Sequence, residues 1–378
     1  MQFFYHFGVH TVRRNNRKIV TTNKMKTFYD AINQPLIDII IPNWNGERML
    51  ADCLHSLSMQ TFSGFRIIVI DNGSEDGSVA LLKTEYPQVQ VFRFDENRGF
   101  TIAVNKGISE AAAPWILLLN NDMEVAPDCL ENLRLAIEKY QDHQFFALKM
   151  LNFHQRDLID GAGDAVLRGG VGYRLGTMER DSDYYSVDRD TFGACAGAGL
   201  YKRELFEKVG VFDPDFFAYL EDVDLNLRAR RRGMKCRYLA SAMVYHIGSA
   251  TSGSKINELT IRLSTRNNLN VLLKNYSLWM FIRFLPSIIV YQLMWALFSS
   301  IKGMIIPYCK GIGQAVMTSS KYLKKRNGIL NHRNNVPEKE FIEMINSAER
   351  EAVNSIMVRR KAAGKNNFLL LCYSKLFL

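Results

Sequence analysis

Ile37-Asp38-Ile39-Ile40-Ile41-Pro42 is a short apolar run closed by a proline, which predicts a buried strand. From Glu47 to Gln60, Met49, Leu50, Cys53, Leu54 and Leu57 fall on one helical face. Phe65 to Ile70 is a second strand, stopped by the turn Asp71-Asn72-Gly73-Ser74. A helix over about Gly77–Tyr86, a strand at Val89–Phe94, a helix over about Thr101–Ala112 and a strand at Trp115–Leu119 follow. Strands alternating with helices through short connections predict an α/β fold with a parallel sheet. Such sheets bind ligands beyond the carboxyl ends of their strands, where Asn43–Glu47, Asp71–Asp76, Asn97–Gly99 and Asn120–Asp122 all fall.

Beyond residue 150 the pattern loosens into glycine-rich, polar sequence with strand-like pieces near Gly161–Leu175 and Phe192–Tyr201. Lys202–Val209 reads as a helix with Gly210 as its C-cap, and Cys236–Val244 as a strand leading to Tyr245-His246. Trp279 to Tyr308 is strongly apolar, and its longest charge-free run, Phe284 to Ile301, contains Pro286. That run is of marginal length for a bilayer span; its flanks Arg283, Lys302 and Lys310 fit either a short span or a helix lying in the membrane surface. Residues 321–367 are polar and basic and predict amphipathic helices.

Charge sharpens this division. The chain of 378 residues carries a net charge of +10, but residues 278–378 hold 15 basic and 5 acidic side chains and residues 1–35 hold 6 and 1. The body between them is net acidic. A nucleic-acid binder carrying its positive charge on the folded domain is therefore excluded. The chain divides into a leader over 1–35, without clear period and expected to be disordered, an α/β body over 36–277, and a basic helical tail over 278–378. Met25, just before the first strand, is an alternative translation start. Six cysteines without C-x-x-C spacing give no disulfide framework and no zinc site, as in a reducing compartment.

Six polar residues at four places are candidates for chemistry. Asp71 ends a strand, where its carboxylate either accepts hydrogen bonds from a base or ribose or builds an Asx turn. Asp122 also ends a strand, as a hard-cation ligand or as a turn carboxylate. Glu221, Asp222 and Asp224 crowd three carboxylates into four positions among Phe212, Phe216, Phe217 and Tyr219. Like charges this close raise one another's pKa, which favours a chemical over a solvated role. His246 gains meaning only from this set.

The order of these groups resembles the family-2 inverting glycosyltransferases of GT-A fold, and bacterial rhamnosyltransferase-like enzymes of O-antigen and cell-wall glycan assembly in particular. The matching motifs are IIIPNWNG at Ile39–Gly46, VIDNGSEDGS at Val69–Ser78, ENRGF at Glu96–Phe100, LLLNNDMEV at Leu117–Val125, the segment Gly210–Gly233 and VYHIGS at Val244–Ser249. The resemblance spans about Ile37 to Tyr276 and implies a Rossmann-like, mostly parallel sheet flanked by helices. It implies that Pro42, Asn45, Glu47, Asp71, Gly99, Asn121 and Gly197 bind the nucleotide-sugar, Gly197 within a small-residue loop read equally as a packed strand. Asp122, with His246, would bind a divalent metal, Mg²⁺ or Mn²⁺, although Asn120 replaces the first acid of the D-x-D motif. Asp222 would be the general base, with Glu221 beside it; Asp224 and Arg266 would contact acceptor or phosphates.

The implied reaction transfers a sugar from a nucleotide-diphosphate donor, dTDP-rhamnose or a UDP-sugar, to a hydroxyl of a glycan or polyprenyl-diphosphate-linked acceptor, with inversion. It would run at the cytoplasmic face of the cell membrane, bound through the basic tail, with no nucleic-acid partner. A polyprenyl-phosphate sugar synthase and a catalytically dead membrane adaptor are the competing readings.

Overall fold

The structure is a computed structural model describing residues 35–248 and 256–378. Apart from Pro35, the leader expected over 1–35 lies outside the described residues, as does Ser249 of the last motif.

Among the described residues, ten strands form one sheet. Its first half is β1 (Ile37–Asn43), β2 (Phe65–Asn72), β3 (Gln90–Phe94) and β4 (Trp115–Leu119). These run parallel in the order β4-β1-β2-β3, with Ile37 level with both Phe65 and Trp115. β1 and β4 are near-continuous apolar runs because both their faces are covered. On one face, α1 (Glu47–Ser58), α2 (Ser78–Glu85) and α4 (Cys129–Lys139) bury Leu50, Leu54, Leu82 and Leu133 against Ile39, Val69 and Leu117. On the other, α3 (Phe100–Glu110), α5 (Arg203–Val209) and α6 (Glu221–Arg231) bury Val104, Leu205 and Leu225 against Ile40, Ile68 and Leu118.

The second half of the sheet is mixed. β5 (Met123–Val125), β6 (Phe145–Asn152), β7 (Ile159–Ala162), β10 (Arg189–Thr191), β11 (Ala198–Lys202) and β12 (Cys236–His246) extend it, while β8 (Asp164–Leu167) and β9 (Val171–Arg174) form a separate hairpin. β11 is antiparallel to β4 and β6; β12 is parallel to β6 and antiparallel to β5 and β10. The sheet is thus mostly parallel where alternation predicted it and mixed where glycine-rich sequence hid the strands. This is the GT-A-like arrangement.

Packing crosses the boundary expected at 277. α7 (Glu258–Asn275), α8 (Leu278–Ile301), α9 (Ile305–Leu330), α10 (Glu338–Ala362) and α11 (Phe368–Phe377) complete the described chain. Tyr322, Phe341 and Ile345 from the tail are fully buried in one core with Phe216, Leu227, Val271 and Tyr276 from the body. Lys325 pairs with Asp213 and Asp215, both at 2.7 Å, and Arg168 pairs with Glu349. Charge marked a change of composition, but hydrophobic burial crosses it.

Candidate active site

Three loops meet at the carboxyl ends of β1, β2 and β4, and polar side chains tie them together. Asn43 receives a 2.6 Å hydrogen bond from Asn121 Nδ2 and donates to Ser74 Oγ at 3.3 Å. Asn45, held at a positive φ of 49°, donates from its backbone to Ser74 Oγ and accepts from Glu75 N at 2.8 Å. Glu47 N donates to Asp76 Oδ2 at 2.9 Å, while Pro42, next to the last residue of β1, pairs with Ile70. Asp71 is wholly buried: it accepts from Ser74 N and Asn43 Nδ2, and the half-exposed Arg93 sits 3.4 Å away. It anchors the loops from below.

Two glycines stand where side chains come close. Gly99 has a φ of +88°, and a Cβ there would lie 2.5 Å from the Phe217 ring. The Phe217 loop therefore demands a glycine here. At Gly197 a Cβ would meet Asn120 Nδ2 at 2.9 Å, and Gly197 O accepts from Asn120 N. The small-residue loop is thereby docked on the first position of the would-be D-x-D motif.

Asp122 and His246 meet because β12 pairs with β5, putting His246 opposite Met123. His246 Nε2 lies 3.3 Å from Asp122 Oδ2, and Nδ1 lies 2.7 Å from Asp160 Oδ2. Burial opposes charge on this ring, but the two carboxylates win and raise its pKa to about 9. The contacts continue: Asp160 accepts from Arg174 Nη1 at 2.6 Å, and Arg174 Nη2 reaches Cys195 Sγ at 3.2 Å.

That line ends at the base candidate. Asp164, Cys195 and Asp222 place their ligand atoms within 4.8 Å of one another, each keeping some exposure. Asp222 sits in the first turn of α6, where the helix dipole favours a carboxylate, and Val223 N donates to its Oδ1 at 2.8 Å. Burial nevertheless raises its pKa. Burial, and then the Asp222 charge, push Asp164 and Glu221 each up to about 8. Phe217, Tyr219 and Leu220, immediately before α6, have φ of 65°, 71° and 64°, strained backbone of the kind that clusters at functional loops.

The structure relocates two expected contacts. Asp224 is fully buried and bound by Arg228 at 2.9 Å, Lys274 at 2.8 Å and Asn275 at 2.9 Å, so it meets no acceptor. Arg266 donates to the carbonyls of Asp215 and Phe216, and Asn267 to those of Phe216, Ala218 and Tyr219, so this pair holds the strained loop in place of phosphates. Arg228 and Arg231 are buried, Arg228 in its ion pair with Asp224. Asp160, Asp164 and Arg174 went unnoticed in the sequence. The available signal was Asp160-Gly161-Ala162-Gly163-Asp164, two acids on one face of an otherwise apolar, small-residue stretch.

A hard divalent cation fits Asp122 and His246. Asp122 Oδ1 is buried without a hydrogen-bond partner among the described residues, and an imidazole nitrogen faces the same carboxylate. The Asp164–Cys195–Asp222 cluster fits one poorly. Burial pushes the Cys195 thiol up to about 12, and the Arg174 guanidinium beside it opposes a second cation.

The pattern of glycosyl transferase family 2 matches residues 38–210. Over those residues the chain has the sequence pattern of a family-2 glycosyltransferase domain. An uncharacterized glycosyltransferase of Bacillus subtilis, YwdF, is 28% identical over 251 residues, covering 64% of this chain and 88% of that protein. The N-acetylglucosaminyl-diphospho-decaprenol L-rhamnosyltransferase of Mycobacterium tuberculosis is 27% identical over 229 residues, covering 55% of this chain and 73% of the relative. The solved structure of S. aureus TarS 1-349 superposes with a TM-score of 0.51 at 14% identity, over 86% of this chain and 90% of that one. This supports the fold of the glycosyltransferase body together with most of its C-terminal helices.

Proposed function

We propose that this glycosyltransferase moves a sugar, rhamnose foremost, from a nucleotide-diphosphate donor to a hydroxyl of a lipid-diphosphate-linked glycan, inverting the anomeric centre, at the cytoplasmic membrane surface. The observation that carries this reading is the placement of Asp222. It stands partly exposed at the head of α6, within 4.8 Å of Cys195, from which short contacts through Arg174, Asp160 and His246 lead to Asp122 just past β4. The relative acting on a diphospho-decaprenol carrier supports the substrate class.

In this reading Pro42, Asn45, Glu47, Asp71, Gly99, Asn121 and Gly197 bind the nucleotide-sugar, with the base directed toward Asp71. Asp122 and His246 hold the divalent ion, which when bound neutralises charge on the departing diphosphate. Asp222 accepts the proton of the acceptor hydroxyl as its oxygen bonds to the anomeric carbon. The bond from that carbon to the diphosphate breaks, and its electron pair leaves with the phosphate. Glu221 stands beside the base, and burial and then the Asp222 charge raise its own pKa to about 8. A panel of dTDP- and UDP-sugars with a polyprenyl-diphosphate saccharide tests the assignment: transfer from one donor is expected, and transfer to a bare polyprenyl phosphate instead would replace it with the synthase reading.

A further inference from the structure

α8 has two faces along its whole length. Met280, Phe284, Ser287 and Ile288 are buried about one helical turn apart, and Ser299 lies about three turns further on. The opposite stripe, Leu278, Ile282, Leu285, Ile289, Leu293 and Leu297, is exposed, Leu293 by 65%. α11 lies beside α8, with Tyr373 hydrogen-bonded to Ser287 and Phe377 O accepting from Arg168 at 2.8 Å. It adds exposed Leu369 and Leu376, and the first turn of α9 adds Ile306. The result is an apolar face far more continuous than scattered surface residues give.

We propose that α8, α11 and the start of α9 form a platform that inserts into one leaflet of an anionic bilayer, with α8 in the membrane plane and not across it. Charge names the occupant. α8, α9 and α11 contain no aspartate or glutamate, and they expose Arg283, Lys302, Lys310 and Lys375, the complement of anionic headgroups. A protein partner offering only apolar surface leaves these cations unanswered.

Packing decides orientation. The 24 residues of α8 are long and apolar enough to cross a membrane. Its buried face, however, is seated antiparallel on α7. Trp295 Nε1 donates to Thr265 Oγ1 at 2.8 Å, Gln292 Nε2 donates to Asn268 Oδ1 at 2.6 Å, and the Phe284 ring lies 5.7 Å from that of Tyr276. α7 also buries Asn267 and Lys274 in polar contacts with the catalytic body, and Asn270 beside Thr318 of α9. A crossing α8 would drag α7 into hydrocarbon or leave these groups unpaired, and neither is tolerated in lipid. α9 returns along α7, with Gly311 against Thr265, so α8 is held from both ends.

The platform gives the active site a height. The β8–β9 hairpin turns at Gly169 and Gly170, which abut Tyr291 of α8 and Leu272 of α7, and β8 begins at Asp164 in the base cluster. The five residue steps from Asp164 to Gly169 span at most about 17 Å. A saccharide on a membrane-anchored diphosphate would then meet Asp222 just above the headgroups. The inference rests on the lipid-linked acceptor for its purpose, but its test uses no sugar.

The test is flotation of the full chain with sealed vesicles, either of phosphatidylcholine alone or of phosphatidylcholine with phosphatidylglycerol. Binding should rise at least several-fold with phosphatidylglycerol. The exposed-stripe pair Leu293→Glu and Leu297→Glu should lower it by on the order of tenfold with melting unchanged; unaltered binding by this pair, or none by the native chain, overturns the platform. Orientation is read by labelling Lys324→Cys, in a chain with Cys309→Ser and Cys372→Ser, with a membrane-impermeant maleimide. In-plane seating predicts full labelling from outside, whereas protection until detergent is added means a span and overturns it. Either outcome stands whether or not glycosyl transfer is detected.

Discussion

Asp222 and Asp160 carry different kinds of claim. As general base, Asp222 is expected to be worth about 10²–10⁴ in rate, so Asp222→Asn should lose that much turnover while donor binding measured by calorimetry survives. The pH profile should follow the same group. Burial raises the Asp222 pKa, and only its ionised form accepts a proton, so kcat should climb with pH through an acidic limb above the ordinary aspartate value of about 3.9. A flat profile between pH 4 and 7 would contradict the assignment. Asp160 touches no substrate in this account; it turns the His246 ring so that Nε2 faces Asp122. Asp160→Ala should weaken Mn²⁺ binding about 10–100-fold by calorimetry, with nucleotide affinity in the absence of metal unchanged.

At the scale of elements, the strained turn before α6 is the part most sensitive to its surroundings. Gly99 makes room for Phe217, and Arg266 with Asn267 holds the carbonyls from Asp215 to Tyr219. Gly99→Ala should cost about 1–3 kcal/mol in thermal or urea unfolding, because it adds both a left-handed alanine and a clash. Much at this scale was legible in the sequence: the apolar runs of β1, β2 and β4, and their polar ends at Asn43, Asp71 and Asn120, follow from period and punctuation alone. The Asp160–Arg174 stretch was not, because short strands of glycine, alanine and aspartate have no hydrophobic alternation to betray them. Asp224 and Arg266 were misplaced for a related reason. A sequence shows that a charge is present but not the Arg228, Lys274 or backbone carbonyl that folding brings to it.

At the scale of the whole molecule, the tail is part of the catalytic fold. Removing residues 277–378 would uncover the pocket filled by Tyr322, Phe341 and Ile345, each worth about 1.5–3 kcal/mol of burial, a sum comparable with the stability of an ordinary domain. The truncated chain is expected to be insoluble, and a folded, active product by circular dichroism and turnover would contradict this. The buried Asp224 cluster joins α6 to α7 in the same core. Asp224→Ala should destabilise by about 3–5 kcal/mol, since it strands Lys274 and Arg228. Burial opposes ionisation of Asp224, but Arg228 and Lys274 hold its pKa well below the usual carboxylate range. Its contribution is therefore present above about pH 3.9 and is lost only as pH falls through that lowered value.

All three scales meet in one geometric claim: Asp222 deprotonates an acceptor hydroxyl that attacks the anomeric carbon opposite the departing diphosphate. Proton NMR of the glycan made from an anomerically defined donor tests it most directly. A product with the opposite anomeric configuration, formed by the native chain and reduced about 10²–10⁴-fold by Asp222→Asn, is the predicted result. A product retaining the donor's configuration would contradict the account.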